Sequence, residues 1–569
     1  MNMYRAVKML VICSLLSAPS FTAINSMMPE TFSATSFPSC IPSINQERYD
    51  LVIIAPEIFS SELQPLVAHK SSRGLSTKLV LLDEIYTGTY FSVHGRDNPE
   101  RIKYFIKEAI EHFEARFVLL VGGAEQLPGR YTHIYYDDFT PYHTPNEWVF
   151  LSDLYYADIY DATAHFSSWD TNQNDVFGEY DWHGNTDDID LYPDISLGRL
   201  ACIDTTQVTT CVNKIIAYET GESYTQNWFT NIVAIGGDSL PGDAAGIDEG
   251  EYVQRAVFEI MDGFLPVQVW ASTGHLNHAA NINDAIDAGA GFVFFNGHGN
   301  LDVWGTHPHE NANEWLPPGF YRNTHIHMLT NRDRLPIVIS DACYHCTYDV
   351  RDDCFGWTFM THPQGGAIAF LGGTDIDLSY GGTDIITKGV EKLCLELSTH
   401  YINGAATFGE LWSTSITTYL STADMDQIDR ITVMESQPFG DPSLAIASQS
   451  QPPRKPDRPS GASSGKAGTT YSYTTSTIDP DEDQVFYLFD WGDGNDSGWA
   501  GPYASGEVVN ISYTWTGTGT FEIKVKAKDE NGVQSEWSDP LAVSMPLPHR
   551  TLLARILEWI LHLFRHGIP

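Results

Sequence analysis

Residues 292–299 have the sequence Phe-Val-Phe-Phe-Asn-Gly-His-Gly, a short apolar run that passes directly into a glycine-flanked histidine. Such a run, bounded by a turn, is typical of a strand buried on both faces of a parallel sheet. A second segment, Pro336-Ile-Val-Ile-Ser-Asp-Ala-Cys343, has the same form and ends in a cysteine. Ligands bind beyond the carboxyl ends of strands in open α/β sheets, so His298 and Cys343 meet at one sheet edge if the two strands are neighbours.

The alternation of buried strands with helices extends from about Tyr49 to Ile446. Residues 117–123 form another apolar run, and residues 98–113 combine a cap, an early proline and apolar side chains at helical spacing. Strands separated by helices predict an α/β fold with parallel sheets covered on both faces. Residues 132–194 interrupt this rhythm with an aromatic, Asp-rich stretch, which indicates either a large structured loop or a seam between two α/β units.

The composition changes towards both ends of the chain. Near the C-terminus a stretch rich in Pro, Ser and Gly precedes short alternating runs, which predict a linker and a β-sandwich of immunoglobulin size. At the N-terminus a basic stretch, an apolar run and small residues follow the order of a secretory signal peptide, with a buried helix as the alternative. We predict a signal peptide at 1–23, an N-terminal segment at 24–48, an α/β subdomain with the Asp-rich loop at 49–225, a catalytic α/β subdomain at 226–447, a linker at 448–465, the β-sandwich at 466–546 and an amphipathic tail at 547–569.

The overall composition limits the possible functions. The 569 residues carry a formal net charge of −41 at pH 7, and 42% of them are hydrophobic. This apolar content excludes a mainly disordered chain. Because strong negative charge repels phosphate backbones, nucleic acid is not an expected partner. Together with the signal peptide, these features predict a secreted or cell-surface protein.

The C-terminal tail contains an apolar segment at 552–564 that includes Arg555, Glu558 and His562. This segment is too short and too charged to cross a bilayer, which requires about 20 predominantly apolar residues. We therefore expect no transmembrane span. An amphipathic helix remains, which docks on the protein body, on a partner or loosely on the cell envelope.

A cysteine and a histidine at one sheet edge suit nucleophilic catalysis. A thiolate is a good nucleophile, and a nearby imidazole lowers the thiol pKa and delivers a proton to the leaving amine. The glycines beside His298 permit a sharp turn and leave backbone N–H groups free to bind an oxyanion. We expect a thiolate–imidazolium pair that works near neutral pH. A core histidine and a structural thiol are the alternative, although both residues follow apolar strands here.

Three motifs together resemble those of the gingipain-type cysteine peptidases: Asn296-Gly-His-Gly, Leu335-Pro-Ile-Val-Ile-Ser-Asp-Ala-Cys343 and Phe439-Gly-Asp-Pro-Ser-Leu444. The resemblance covers about residues 49–446 and implies a caspase-like α/β catalytic region in two subdomains, followed by an immunoglobulin-like domain. In the C-terminal domain, Phe489-Asp-Trp-Gly-Asp-Gly494 resembles a PKD (polycystic-kidney-type) β-sandwich.

The same resemblance implies a cysteine endopeptidase that acts on proteins or peptides without an organic cofactor. Cys343 is then the nucleophile and His298 the general acid and base, and the amides of Gly299 and Cys343 form the oxyanion pocket. An orienting carboxylate is implied after the strand at 231–237, where the chain has Asp238. In gingipains an acidic pocket selects a basic residue before the cut, and the candidate substrate-binding residues here are Asp248, Glu249, Glu251 and Tyr380.

A loop with oxygen donors at alternate positions predicts a structural Ca²⁺ ion. The candidate ligands are the side chains of Asp170, Asn172 and Asn174, the carbonyl of Val176, and the carboxylates of Glu179 or Asp181. Asp175 stands at the sixth position, where an EF-hand requires glycine, so the loop is only EF-like. A turn rich in Asp and Asn that binds no metal is the alternative.

Three other interpretations remain open at this point. Cys346 competes with Cys343 for the role of nucleophile, because the two form a C-x-x-C pair. A non-catalytic surface adhesion protein on a peptidase fold is a second possibility. A zinc hydrolase is the third, since several histidines and an acid follow the Gly-His-Gly motif: His307, His309, Glu310, His325 and His327.

Overall fold

The structure is a computed structural model that describes residues 47–136, 147–422, 425–446, 453–480, 483–529, 534–545, 556–559 and 561. The description below concerns one compact unit of the chain, which begins at Glu47. The predicted signal peptide and nearly all of the predicted N-terminal segment lie outside the described residues. So do the first residues of the predicted linker and most of the predicted tail.

The strands and helices follow the predicted alternation. The strands are β1 (Leu51–Ala55), β2 (Thr77–Leu81), β3 (Phe117–Val121), β4 (Tyr131–Tyr135), β5 (Glu147–Leu151), β6 (Glu179–Tyr180), β7 (Ser196–Leu200), β8 (Asn231–Gly236), β9 (Leu265–Trp270), β10 (Phe292–Asn296), β11 (His298–Asn300), β12 (Val303–Thr306), β13 (Leu316–Arg322), β14 (Ile337–Asp341), β15 (Ala369–Gly373), β16 (Ser436–Phe439), β17 (Ser460–Gly461), β18 (Tyr471–Thr475), β19 (Val485–Asp490), β20 (Ala500–Tyr503), β21 (Val509–Tyr513), β22 (Gly519–Asp529) and β23 (Leu541–Met545). The α-helices are α1 (Ser60–Ser72), α2 (Leu82–Thr87), α3 (Asn98–Glu108), α4 (Thr205–Thr220), α5 (Glu249–Ile260), α6 (Ala279–Asp287), α7 (Asn323–Ile326), α8 (Phe355–Thr361), α9 (Gly389–Ile402), α10 (Phe408–Thr422) and α11 (Gln427–Glu435).

One ten-stranded sheet forms the centre of the α/β region, in the order β2-β1-β3-β7-β16-β15-β14-β10-β8-β9. The strands from β2 to β16 are parallel to one another, and so are those from β15 to β9. The two blocks run in opposite directions, because β15 and β16 pair antiparallel. The predicted parallel strands are thus present in two blocks, and one antiparallel pair between the blocks makes the whole sheet mixed.

The two sheet blocks correspond only partly to the predicted subdomains. A boundary near residue 225 falls between β7 and β8 in the chain, but the sheet is continuous in space. The strand that joins the blocks, β16, comes from the end of the second predicted subdomain and pairs with β7 of the first at Phe439 and Arg199. The prediction missed this crossover because Ser436–Phe439 has no distinctive strand pattern.

Helix α5 lies against the carboxyl end of β10 because a glycine allows the close approach. A Cβ atom on Gly250 would lie 2.8 Å from the carbonyl oxygen of Asn296. That separation is shorter than any ordinary contact, so a larger residue would push α5 away from the strand end. The loop between β8 and α5 is thereby held beside His298.

A buried arginine stabilises the pairing of β16 with β7. The guanidinium of Arg199 in β7 donates to Asp153 at 2.8 Å and to the carbonyl oxygen of Gly122 at 2.7 Å. Asp153 also accepts a hydrogen bond from Gln437 in β16 at 2.8 Å. Arg199 and Asp153 are both almost completely buried. The pair thus ties β7, β16 and the segment after β5 together.

The C-terminal part is a β-sandwich, as predicted. A sheet of β17-β18-β21 and a sheet of β20-β19-β22-β23 enclose an apolar core. Trp491 and Trp515 are buried in this core, whereas Trp537 is 37% exposed. Among the described residues of the whole chain, no helix has the length and apolar content needed to cross a membrane.

We predict that Arg199→Met lowers the free energy of unfolding by about 3–5 kcal/mol, because it leaves the Asp153 carboxylate buried without its counter-ion. The control is Arg116→Met, which removes the solvent-exposed pair between Arg116 and Asp50 and should change stability by about 1 kcal/mol or less. Urea unfolding followed by tryptophan fluorescence measures both. Equal losses in the two variants would contradict the structural role of Arg199.

Candidate active site

The structure places β10 and β14 side by side, which is the condition for His298 and Cys343 to meet at one sheet edge. Their parallel register pairs Asn296 with Asp341 at the strand ends. The side-chain amide of Asn296 donates to the Asp341 carboxylate at 2.9 Å, and the backbone amide of Gly297 donates to the Asp341 carbonyl at 3.2 Å. The segments that carry His298 and Cys343 therefore leave the sheet from adjacent, hydrogen-bonded positions.

The two segments remain in contact beyond the sheet. A Cβ atom on Gly299 would lie 2.4 Å from the carbonyl oxygen of Cys343 and 2.7 Å from Nε2 of His345. Only glycine permits this approach. The His345 ring is fixed in turn by Ser340 Oγ at 2.7 Å. The loop of His298 is thus packed directly against the loop of Cys343.

Cys343 is the accessible thiol of the C-x-x-C pair. It is partly exposed, whereas Cys346 is completely buried. The Cys343 thiol contacts the backbone carbonyl of Asp377, with 3.8 Å between Sγ and the oxygen. Burial raises the pKa of the thiol, and the negative charges of Asp377 and Glu435 raise it further. Cys343 rather than Cys346 is therefore placed to meet a substrate, and it rests as a neutral thiol.

The ring of His298 is held by a backbone carbonyl. Its Nε2 lies 2.8 Å from the carbonyl oxygen of Ser239, and the ring stands edge-on to His307 and Trp315 at centroid distances of 5.6 and 5.5 Å. A carbonyl only accepts, so Nε2 carries the proton in the neutral ring and Nδ1 is the basic nitrogen. Burial lowers the pKa of His298. Burial thus favours the uncharged forms of both the His298 ring and the Cys343 thiol, whereas the sequence predicted a thiolate–imidazolium pair.

Asp238 lies beside the histidine but does not orient it by a direct hydrogen bond. Its carboxylate accepts from the backbone amides of Leu240 at 3.0 Å and Glu310 at 2.7 Å. The negative charge of Asp238 acts against the burial effect on the pKa of His298. The carbonyl of Ser239, the next residue, therefore contacts the His298 ring in place of the predicted Asp238 carboxylate. The sequence could not show that Ser239 rather than Asp238 contacts the ring, because that contact depends on the conformation of the turn after β8.

Glu249 fixes the position of the Ser239 carbonyl by hydrogen bonds to the neighbouring backbone amides. Its Oε2 accepts hydrogen bonds from the backbone amides of Ser239 at 3.1 Å and Leu240 at 3.2 Å. Burial raises the pKa of Glu249 to about 7. Glu249 is completely buried, so the predicted contact with substrate is wrong. The structure instead makes Glu249 a positioning residue that acts through the peptide unit of Ser239 on His298.

The other predicted substrate-binding residues differ in their surroundings. Glu251 is buried and accepts from Ser272 and Arg255, so its carboxylate is occupied within the protein. Asp248 is partly exposed and pairs with His309 at 2.9 Å. Tyr380 follows the segment of Asp377 and donates its hydroxyl hydrogen to Asp426. Of the three acids, only Asp248 lies where a ligand can reach it.

The two predicted donors of the oxyanion pocket, Gly299 and Cys343, belong to the two loops that pack against each other. Within the described residues, the amide of Cys343 forms no backbone hydrogen bond. Gly299 lies in β11, opposite Trp304 of β12. The Cys343 amide is thus available to a ligand oxygen, as an oxyanion pocket requires.

The Asp-rich loop brings most of its predicted calcium ligands together. The side-chain amides of Asn172 and Asn174 both donate to Oε2 of Glu179, at 2.7 and 2.8 Å. Asp170 accepts the backbone amide of Asn174 at 2.9 Å and also pairs with Arg96. Two further candidates, Val176 and Asp181, donate their amides to Asn174 and Thr186. Because Arg96 already neutralises Asp170, calcium binding in this loop stays a prediction.

The histidines proposed for a zinc site do not converge. His307 contacts the carbonyl of Glu314, His309 contacts Asp248, and His325 accepts the amide of Arg322. Among the described residues, metal-binding geometry at this end of the sheet is limited to Asp238, Asp248 and His309, whose ligand atoms lie within 4.8 Å of one another. Of the five residues proposed for a zinc site, four therefore lie outside this cluster: His307, Glu310, His325 and His327.

Comparison with known proteins identifies the relationship of the α/β region. The profile of "Peptidase family C25" matches residues 44–447. Gingipain R2 of Porphyromonas gingivalis is 22% identical over 450 residues, which cover 76% of this chain and 50% of the relative. Lys-gingipain of the same organism is 22% identical over 340 residues, which cover 59% of this chain and 16% of the relative. The aligned part thus spans half or less of these curated relatives.

Two solved structures share the fold. The Arg-specific cysteine proteinase gingipain R (RgpB) superposes with a TM-score of 0.51 at 17% identity and covers 88% of this chain and 98% of that chain. The complex of the RgpB pro- and mature domains from Porphyromonas gingivalis gives a TM-score of 0.50 at 17% identity, over 87% of this chain and 100% of that chain. At this level of identity the match supports the predicted fold class and says nothing further.

We predict that Glu249→Gln flattens the pH dependence of stability. The pKa of Glu249 is raised from 4.5 to about 7 in the folded protein. The protonated form therefore favours folding, and this contribution is complete below pH ~4.5 and is lost as the pH rises through ~7. The wild type should lose stability relative to Glu249→Gln across that interval. Urea unfolding at a series of pH values measures the difference.

The control for this experiment is Glu259→Gln, an exposed substitution on the same helix. If Glu249→Gln and the wild type show parallel stability curves between pH 4.5 and 7, Glu249 is not the group that titrates there.

Proposed function

Because the chain belongs to peptidase family C25, we propose that it is a cysteine endopeptidase in which Cys343 and His298 form the catalytic dyad. The observation that carries the proposal is the contact between the two loops at the ends of β10 and β14. Gly299 lies against the Cys343 carbonyl so closely that a Cβ atom would not fit. A histidine and a cysteine brought together at a strand-end crevice form a site for acyl transfer.

The reaction begins from the neutral pair. As Cys343 Sγ attacks the peptide carbonyl carbon, its proton passes to Nδ1 of His298, because Nε2 already donates to the Ser239 carbonyl. The carbonyl oxygen becomes an oxyanion that the Cys343 amide stabilises. The imidazolium then gives its proton to the leaving amine, and the C–N bond breaks. Water hydrolyses the resulting thioester, with His298 as the base, and restores the thiol.

The carbonyl of Ser239 stabilises the imidazolium during this sequence. It accepts the Nε2 hydrogen throughout, while the buried carboxylate of Asp238 lies in the same turn. Negative charge close to a transient cation lowers the energy of that cation most when water is excluded. The backbone thus takes the place that a side-chain carboxylate has in many catalytic triads.

We predict that Cys343→Ala lowers kcat/KM for peptide hydrolysis by roughly 10⁵-fold or more, because the nucleophile is lost. Labelling by iodoacetamide at Cys343 should follow the loss of activity in the wild type. Cys346→Ala is the matched control and should keep the activity, since that thiol is buried. An adhesion protein without activity would show no hydrolysis in any of the three proteins.

Export and surface location belong to the same proposal. The order of basic, apolar and small residues at the N-terminus supports a signal peptide, and the net charge of −41 suits an extracellular protein. Protein or peptide substrates follow from the chemistry of the dyad. Association with an envelope through the C-terminal tail is supported by its amphipathic pattern.

A basic residue before the scissile bond is the substrate preference we propose. The curated relatives include Lys-gingipain, and one solved relative is described as Arg-specific. Asp248 supports this preference because its carboxylate is partly exposed and belongs to the same cluster as Asp238, one residue from Ser239. His309 competes with a basic substrate for Asp248, with 2.9 Å between Nδ1 and Oδ1.

We predict that His309→Gln raises kcat/KM for Arg or Lys substrates by a few-fold at pH 6 and less at pH 8. Asp248 raises the pKa of His309, so the histidine is a competing cation chiefly at low pH. A peptide-library cleavage profile at both pH values measures this. The control is His278→Gln, an exposed histidine before α6. An equal effect at the two pH values would contradict competition for Asp248.

A further inference from the structure

An exposed tryptophan lies against the ring of His298, and the dyad mechanism gives it no role. Trp315 is 38% exposed, and 5.5 Å separate the centroids of its ring and the His298 ring. Its other ring neighbours are His307 at 3.9 Å and Phe320 at 5.2 Å. A tryptophan that keeps part of its indole in water beside a reactive group is suited to contact a ligand there.

The ribbon of β11 and β12 shows on which side of His298 this tryptophan lies. At the start of β12, the carbonyl oxygen of Val303 lies 3.2 Å from Nε2 of His345, which belongs to the loop of Cys343. Two residues further along β12, Gly305 pairs with His298. The ribbon therefore leads from the loop of the nucleophile to His298 and then away from both.

Trp315 belongs to the far end of this ribbon. Thr306, the last residue of β12, pairs with Leu316 of β13, and Trp315 directly precedes Leu316. A strand advances about 3.3 Å per residue, so Thr306 lies roughly 10 Å from Val303. Seen from the loop of Cys343, Trp315 thus lies beyond His298.

This position corresponds to the amine side of the scissile bond. In the proposed reaction the acyl part of the peptide becomes bonded to Cys343, and the amine part leaves with a proton from His298. The leaving nitrogen therefore lies at the imidazole, and the residue that carries it extends away from the nucleophile. Trp315 is the exposed side chain that this residue meets.

The surroundings of the indole favour an apolar partner. Phe320 and the partly buried Leu316 lie next to it. The guanidinium of Arg322 stands 5.4 Å from the centre of the Phe320 ring, so a second positive charge is disfavoured here. An aromatic or large aliphatic side chain can pack on the indole and remove apolar surface of both from water.

We propose that Trp315 forms the subsite for the residue after the scissile bond and selects an aromatic or large aliphatic side chain there. This inference rests on the proposed peptidase function. It adds a preference on the amine side of the bond, whereas Asp248 concerns the residue before the cut.

Two internally quenched peptides that differ only in the residue after the cut, phenylalanine or glycine, test the proposal. We expect the wild type to cleave the phenylalanine peptide with a kcat/KM roughly 10-fold higher. Trp315→Ala should lose this preference through a higher KM for the phenylalanine peptide and should keep kcat/KM for the glycine peptide within about 2-fold. The control Trp499→Ala removes a tryptophan of similar exposure from the β-sandwich and should behave as the wild type.

The glycine peptide shows whether the substitution disturbs His298 itself. Equal losses on the two peptides in Trp315→Ala would overturn the proposal, and so would a wild type without preference for phenylalanine. Trp315→Phe retains an aromatic ring and should keep most of the preference; its complete loss in this variant would also contradict the subsite. A wild type that cleaves neither peptide would refute the peptidase function, and the subsite with it.

Discussion

The parallel pairing of β10 with β14 is the constraint on which the site depends. It sets Asn296 opposite Asp341 and joins them by a side-chain hydrogen bond, so the two chains leave the sheet in register. A shift of one residue would turn every side chain of the strand to the other face. His298 and Cys343 would then no longer emerge on the same side. Backbone hydrogen bonding in the sheet thus determines the relation of the two reactive side chains.

Around this pairing the protein uses backbone groups where side chains were expected. The imidazole of His298 is held by the Ser239 carbonyl, which Glu249 supports through the amide on the other side of that residue. The buried carboxylate of Glu249 thus positions the His298 ring through the backbone of Ser239 and does not contact the ring itself. Because Glu249 lies in the first turn of α5, the orientation of the histidine is coupled to the packing of that helix on β10.

Much of this arrangement was predictable from the sequence. Apolar runs that end in Gly-His-Gly and Asp-Ala-Cys predict two buried strands, and the general rule for strand ends brings their termini together. The roles of the acids were not predictable. Asp238, Glu249 and Glu251 lie close in the chain and look alike in sequence, yet they differ in what they contact: amides of the loop, amides behind Ser239, and the side chains of Ser272 and Arg255. These contacts depend on the path of one turn.

The mixed order of the sheet lay outside the reach of sequence patterns for another reason. Strand β16 reaches its neighbours β7 and β15 from the far end of the α/β region, so no local spacing in the chain indicates these pairings.

The position of β16 near the end of the α/β region has a consequence for folding during biosynthesis. The edge of β7 stays open until Phe439 arrives to pair with Arg199, some 240 residues later in the chain. During translation the first half of the sheet therefore exposes unpaired backbone groups while the second half is still being made. Exposed strand edges template aggregation, so a chaperone that shields β7 on the nascent polypeptide should improve the yield of folded protein. Truncation before Ser436 would leave both halves with such an edge permanently.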